Sequence, residues 1–273
     1  MSFIDGDCPR GPFRAVVFDF DGTLSLLRAD WQGLMVPMMV DVLAATGTSE
    51  TRETLVAIVE EFVTRLTGQP TILQMRALCE EIKLRGKTPR PEREYLAEYL
   101  EKLLAQTGAR INAVRTGRAT ADDMMVPGSR QLVEALHKAG MLLVIASGTE
   151  LAHVRQETAI LGLDSFFGPR IFGPVDNDPT FSKQQVLEQL IAEHNLRGEE
   201  IIAIGDGPTE ILAARAVNAL TIGVASDEID RSGRIHPLKE QHLIRAGAHA
   251  IIPDYRDLAP ILEHFRVPTA DHP

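Results

Sequence analysis

The feature that most restricts this chain is a short apolar run that ends on acids. Residues 15–18 read Ala-Val-Val-Phe and are followed at once by Asp19-Phe20-Asp21-Gly22-Thr23. A run with no polar alternation is buried on both faces, as an inner strand of a parallel sheet is. Its acidic close puts polar groups at the strand's carboxyl edge. The pattern recurs four times. Residues 141–146 (MLLVIA) lead into Ser147-Gly148-Thr149, 201–204 (IIAI) into Gly205-Asp206-Gly207, 220–225 (LTIGVA) into Ser226-Asp227-Glu228, and 250–252 (AII) into Pro253-Asp254.

Helical patterns separate these runs. Over 129–139, Leu132, Val133, Leu136 and Ala139 recur at steps that share one face, and Gly140 supplies a stop. Ser182 is placed to cap a helix over 183–194 with an apolar stripe of Val186, Leu187, Leu190 and Ile191. Pro208 suits the first turn of a helix reaching about 217. This alternation specifies an α/β fold: an open parallel, Rossmann-like sheet with helices on both faces. Residues 26–125 break the rhythm. Four helix-like segments, about 31–45, 50–66, 71–84 and 91–106, are followed by Gly47, Gly68, Gly86 and Gly108 as punctuation. A crossover needs only about a dozen residues. The stretch is therefore expected to be an inserted α-helical cap domain, with residues 1–25 and 126–273 forming the α/β core. The basic stretch 83–93 reads as a solvated inter-helix loop.

In an open α/β sheet, ligands bind beyond the carboxyl ends of the strands. That rule gathers Asp19, Asp21, Ser147, Gly148, Thr149, Asp206 and Glu210 around one crevice. One acid after a strand is more readily a helix cap or a turn; three strand ends with small polar or acidic groups are harder to explain that way. Carboxylates brought so close repel one another and need a cation. Oxygen-only donors select Mg²⁺, which accepts waters and a substrate phosphate in its shell.

With 28 basic against 38 acidic side chains, the net charge is −10. That balance argues against a nucleic-acid binder and against a peripheral membrane protein that depends on a basic face, and no apolar run approaches the ~20 residues that span a bilayer. The first residues, MSFIDGDCPRGPFR, carry acid where a secretory signal needs a basic and then an apolar segment. Cys8 and Cys79 fit neither a disulfide scaffold nor a metal spacing. A cytoplasmic protein is expected. An anionic substrate must then be attracted by a local cation, not by the field of the whole chain.

Residues 16–24 (VVFDFDGTL) resemble the first motif of the haloacid dehalogenase superfamily, and three further motifs follow in order. IASGT at 145–149 is similar to the second, Lys183 at the start of a helix to the third, and GDGPTE at 205–210 to the fourth. The resemblance covers 12–24 and 126–265; a lone Lys or GDG would carry little, but the ordered set is specific. It implies a phosphohydrolase in which Asp19 is the nucleophile and forms an aspartyl-phosphate. Asp21 would be the general acid and then the base. Gly22, Thr23, Ser147, Gly148 and Lys183 would bind phosphate, and Asp19, the main-chain carbonyl of Asp21, and Asp206 would hold Mg²⁺. The second Asp argues against dehalogenation, because a halide leaves without a proton. Where the family has Asp four residues after the fourth-motif Asp, this chain has Glu210. Its extra methylene lets it reach the metal or one of its waters, or it serves as a cap or ion pair.

The insertion resembles the α-helical cap of the phosphoglycolate phosphatase and β-phosphoglucomutase-like branch, which would close over the crevice and exclude water. Arg28 and Trp31 either face substrate or pack the hinge. Gln69, Thr71 and Gln74 either hydrogen-bond substrate hydroxyls or cap a helix; Arg76 and Lys83 either bind a second anionic group or lie on the surface. The expected function is Mg²⁺-dependent hydrolysis of a small phosphorylated metabolite, a sugar phosphate or a phosphoglycolate-like acid, by a monomer or small homo-oligomer. A phosphomutase and a non-catalytic phosphometabolite-binding protein are the alternatives.

Overall fold

A computed structural model describes residues 2–3, 8–9, 11–176 and 178–264; expectations that fall on other positions of the two termini lie outside the described residues. One sheet contains β1 (Ser2–Phe3), β2 (Ala15–Phe18), β3 (Leu142–Ala146), β4 (Ile171–Phe172), β5 (Ile201–Gly205), β6 (Leu220–Val224) and β7 (Ala250–Ile252) in the order β1-β7-β6-β5-β2-β3-β4. Strands β2 to β7 are parallel. The edge strand β1 runs antiparallel to β7, a departure from the wholly parallel expectation. All five apolar runs form strands. The two extra strands, β1 and β4, are two residues each, too short to leave a periodic signal.

The register explains the site. Phe18 lies opposite Ile145 on β3 and Ile204 on β5. Asp19, Ser147 and Asp206, each one or two residues further on, therefore emerge side by side at one rim.

Four helices follow β2: α1 (Trp31–Ala44), α2 (Arg52–Arg65), α3 (Ile72–Leu84) and α4 (Glu92–Arg115). The remainder are α5 (Ser129–Lys138), α6 (Leu151–Ile160), α7 (Asp164–Phe167), α8 (Lys183–His194), α9 (Pro208–Ala216), α10 (Pro237–Arg245) and α11 (Ala259–His264). Successive side chains of a strand point to opposite faces, and β2 supplies both layers. Val16 and Phe18 pack with Leu132, Val133 and Leu136 of α5 and Val154 of α6. Ala15 and Val17 pack with Val186, Leu187 and Leu190 of α8 and Ala213 and Ala214 of α9.

Helices α1–α4 enclose a separate core built from Met35, Met39 and Leu43, Leu55 and Phe62, Met75 and Leu78, and Tyr95, Tyr99 and Leu103. Two local expectations need correction. Gly108 does not end α4, which continues to Arg115. A Gly inside a helix costs only ~1 kcal/mol relative to Ala, and Ile111, one turn further on, packs against the core of the sheet. Ser182 occupies the N-cap position of α8 but its side chain makes no capping hydrogen bond. In the basic stretch, Lys83 pairs with Glu80, Arg85 with Glu50 and Glu81, and Arg90 with Glu98. Among the described residues, no helix is long and apolar enough to cross a membrane.

Candidate active site

The floor of the crevice is a chain of buried charges. Asp19 leaves β2 with its N–H donated to the carbonyl of Ile204 at 2.8 Å, which continues the sheet ladder one residue past the strand. Lys183, the first residue of α8, places its Nζ 2.8 Å from Asp19 Oδ1 and 3.0 Å from Glu210 Oε2. Glu210 sits in the first turn of α9, where its Oε1 accepts the N–H of Gly207 at 2.5 Å and caps the helix. Gly205 makes this approach possible: a Cβ there would lie 2.1 Å from Glu210 Cγ. Burial pushes the Asp19 carboxyl well above the usual carboxylate range, although Lys183 pulls the other way. For Lys183, burial disfavours the charge, but Asp19 and Glu210 outweigh it and raise its pKa.

Carboxylate oxygens of Asp19, Asp206 and Glu210 lie within 4.8 Å of one another. Asp206 is also engaged from the other side: Lys239 of α10 donates to its Oδ2 at 2.7 Å and to Glu228 Oε1 at 2.5 Å.

Asp21 has a different environment. Its Oδ2 accepts the Thr149 hydroxyl at 2.7 Å, whereas its buried Oδ1 has no hydrogen-bond partner. Arg28 Nε stands 3.8 Å from Oδ1, and the guanidinium is clamped by Glu157 of α6 through Nε at 3.0 Å and Nη2 at 2.7 Å. Burial raises the Asp21 pKa to about 6, Arg28 offsetting only part of that cost. Ser147 Oγ accepts the N–H of Thr149 at 3.1 Å.

The loop between α2 and α3 lies over this floor. The Thr209 hydroxyl donates to the carbonyl of Thr67 at 2.5 Å. Gly148 meets the loop so closely that a Cβ on it would stand 2.6 Å from the Gln69 carbonyl oxygen. What remains is a cavity of about 70 Å³ bounded by Asp19, Asp21, Ser147, Gly148 and Asp206 below and by Trp31, Gly68, Gln69, Thr71, Gln74 and Tyr99 above, with Arg28 at its side.

Most of the residues singled out in the sequence thus converge. Gln74 lines the cavity while its Nε2 donates to the carbonyl of Val63 at 3.4 Å. Gly22 and Thr23 do not line it. Gly22, at φ +71, backs against Asp206, whose Oδ2 a Cβ would meet at 2.2 Å. Thr23 is fully buried with a hydroxyl that has no partner. Arg76 pairs with Glu92 and Lys83 with Glu80 on the outside of the helical layer. Lys239, Glu228, Glu157 and Tyr99 were not foreseen. None carries a local signal of its own: Glu157 lies on the helix after the second motif, Glu228 in the loop after β6, and Tyr99 and Lys239 on helices far from any motif, so only the folded chain relates them to the site.

The model of the family described as haloacid dehalogenase-like hydrolase matches residues 13–218. A phosphoglycolate phosphatase of Vibrio cholerae serotype O1 is 21% identical over 204 residues, 74% of this chain and 84% of its own length. Among solved structures, a HAD family hydrolase from Deinococcus radiodurans R1, with bound phosphate and sodium, is 20% identical and superposes with a TM-score of 0.57 over 95% of this chain and 99% of its own. A β-phosphoglucomutase from Clostridium difficile is 15% identical with a TM-score of 0.60 over 93% and 97%.

Proposed function

The chain belongs to the haloacid dehalogenase-like hydrolase family, and from that premise we propose that it hydrolyses the phosphate monoester of a small metabolite, with Mg²⁺ as cofactor. The observation that carries this reading is the pairing of two unlike acids at one cavity. Asp19 is held as an ion pair by Lys183, and Asp21 has one buried oxygen without a partner and a pKa near 6. Two carboxyls with unlike partners, an ammonium at Asp19 and a hydroxyl with a guanidinium 3.8 Å away at Asp21, suit two roles; Lys183 and a bound cation would hold Asp19 as the carboxylate against the burial that raises its pKa.

In the proposed reaction, a carboxylate oxygen of Asp19 attacks phosphorus. The bond from phosphorus to the ester oxygen breaks, and Asp21 gives its proton to the departing alkoxide. Asp19 then carries the phosphoryl group as an aspartyl-phosphate. Asp21, now a carboxylate, takes a proton from water, whose oxygen displaces Asp19 and yields inorganic phosphate. Lys183 neutralises Asp19 and the transferring group, and Ser147 and the N–H of Gly148 hold phosphate oxygens. Arg28, Gln69, Thr71 and Gln74 contact the leaving group.

The donors fit a hard divalent ion, since all are oxygens and their negative charges outnumber the lysines that face them. Asp19, Asp206 and the Asp21 carbonyl would hold it; Glu210 has one oxygen engaged by Gly207 and the other by Lys183. Bound Mg²⁺ supplies charge neutralisation for the phosphoryl oxygens. Residues 26–125 act as the cap domain in this reading, which the separate core of α1–α4 and the fit of the 67–69 loop over Gly148 support. The confined cavity favours a small substrate such as a sugar phosphate or a phosphoglycolate-like acid, and the phosphatase relative agrees with that class. A cytoplasmic setting suits such a substrate.

The test is phosphate release from a panel of phosphorylated metabolites with Mg²⁺, for the wild type and Asp19→Asn. Asp19→Asn is expected to abolish turnover while leaving the fold intact, as read by circular dichroism. Retained turnover would remove the nucleophile assignment, and isomerised sugar phosphate without phosphate release would indicate a mutase instead.

A further inference from the structure

A second lysine is bound into the acidic cluster, on the opposite side from Lys183. Lys239, near the start of α10, sends its ammonium 2.7 Å from Asp206 Oδ2 and 2.5 Å from Glu228 Oε1. The reaction derived above gives it no role: it does not line the cavity over Asp19 and does not touch Asp19 or Asp21. The pair is largely buried, with the Asp206 side chain 9% exposed. The Lys239 side chain is 21% exposed, and with Asp206 and Glu228 it borders a separate cavity of about 260 Å³.

We propose that Lys239 is a tethered counter-ion for the divalent-cation site, competing with the metal for the charge of Asp206. This rests on the reading above that Asp206 holds the ion. The geometry separates the two lysines by task. Lys183 serves Asp19 and Glu210, so removing it would disturb the nucleophile. Lys239 serves Asp206 and Glu228 alone. Without metal, its ammonium neutralises a carboxylate that otherwise faces Asp19 and Glu210 as like charges. With metal, the same ammonium sits beside the divalent ion and repels it. Glu228 anchors the lysine, so the positive charge stays at the site when the ion leaves. The result is a site that is stable when empty and exchanges its ion readily.

The test is calorimetric titration of Mg²⁺ into the full-length wild type and Lys239→Met, with no substrate present. Loss of a unit positive charge this close is expected to tighten Mg²⁺ binding by about tenfold or more. A fixed-orientation role for Lys239 predicts the opposite sign, because Asp206 would be left loose. Unchanged or weaker binding by folded Lys239→Met therefore overturns the proposal. If that variant does not fold, the double variant Lys239→Met, Glu228→Gln removes both charges of the pair and is titrated in its place. Binding at least as tight as wild type is expected there, and weaker binding overturns the proposal. Wild-type protein that binds no Mg²⁺ would instead remove the cation reading of Asp206 itself, and this inference with it.

Discussion

Gly148→Ala tests the fit of the 67–69 loop over the crevice in one atom. Gly148 has no positive φ, so alanine fits its backbone, and the N–H proposed to bind phosphate is retained. The new Cβ, however, would stand 2.6 Å from the carbonyl oxygen of Gln69 and 2.8 Å from that of Gly68. Ordinary contact begins near 3.4 Å, so the two backbones must part by roughly 0.8 Å. Both obstacles are main-chain atoms, and no side chain can rotate away. Overpacking of this kind costs about 1–3 kcal/mol, which lowers the ratio of the described arrangement to an opened one about 5- to 150-fold. If α1–α4 act as the proposed cap, hinging them outward relieves the clash, and the loss should then appear in kcat/KM and not in the melting temperature. Steady-state kinetics with the best substrate of the panel, paired with calorimetry, should show kcat/KM lower by about 10- to 100-fold and a small thermal shift. A kcat/KM within about twofold of wild type would refute the claim that turnover requires the 67–69 loop in the position described.

Three further outcomes follow from the charges. Asp21→Ala should slow alkyl phosphates more than p-nitrophenyl phosphate, whose leaving group needs little protonation; equal losses in kcat would remove the general-acid role. Because the folded pKa of Asp21 is raised to about 6 from 3.8, the folded state binds the extra proton between those values. Its contribution to stability is therefore lost as pH rises through that window. Thermal melts of the metal-free protein from pH 4 to 6.5 should show a shallower decline for Asp21→Asn than for wild type. Glu157→Ala leaves the buried Arg28 guanidinium without its bidentate partner, so urea denaturation should show a loss of about 3–5 kcal/mol; a loss below about 1 kcal/mol would mean that Arg28 finds another acceptor.

What the sequence disclosed depended on how local each signal was. The inner strands were legible because β2, β3, β5 and β6 are buried on both faces and carry no polar alternation. The convergence of Asp19, Ser147 and Asp206 followed from strand ends alone, since a parallel sheet aligns them. The end of α4 is not legible at Gly108, a weak stop that tertiary packing of Ile111 overrides. Gly22 and Thr23 belong to the motif, yet one is a spacer against Asp206 and the other is buried. Lys239 and Glu157 were invisible for another reason: each is an ordinary helical charge until the fold sets it against a partner about 33 or 129 residues away.

Glu210 has a consequence for how such a chain can drift. One of its oxygens starts helix α9 and the other steers Lys183 onto Asp19. Fraying of that first helical turn would swing the lysine as well, so chemistry and local order fail together at this joint. A shorter acid could reach one partner or the other but would span both only if the loop at Gly207 moved inward. Random change at position 210 is therefore filtered twice, and a survivor has to rebuild the turn around it.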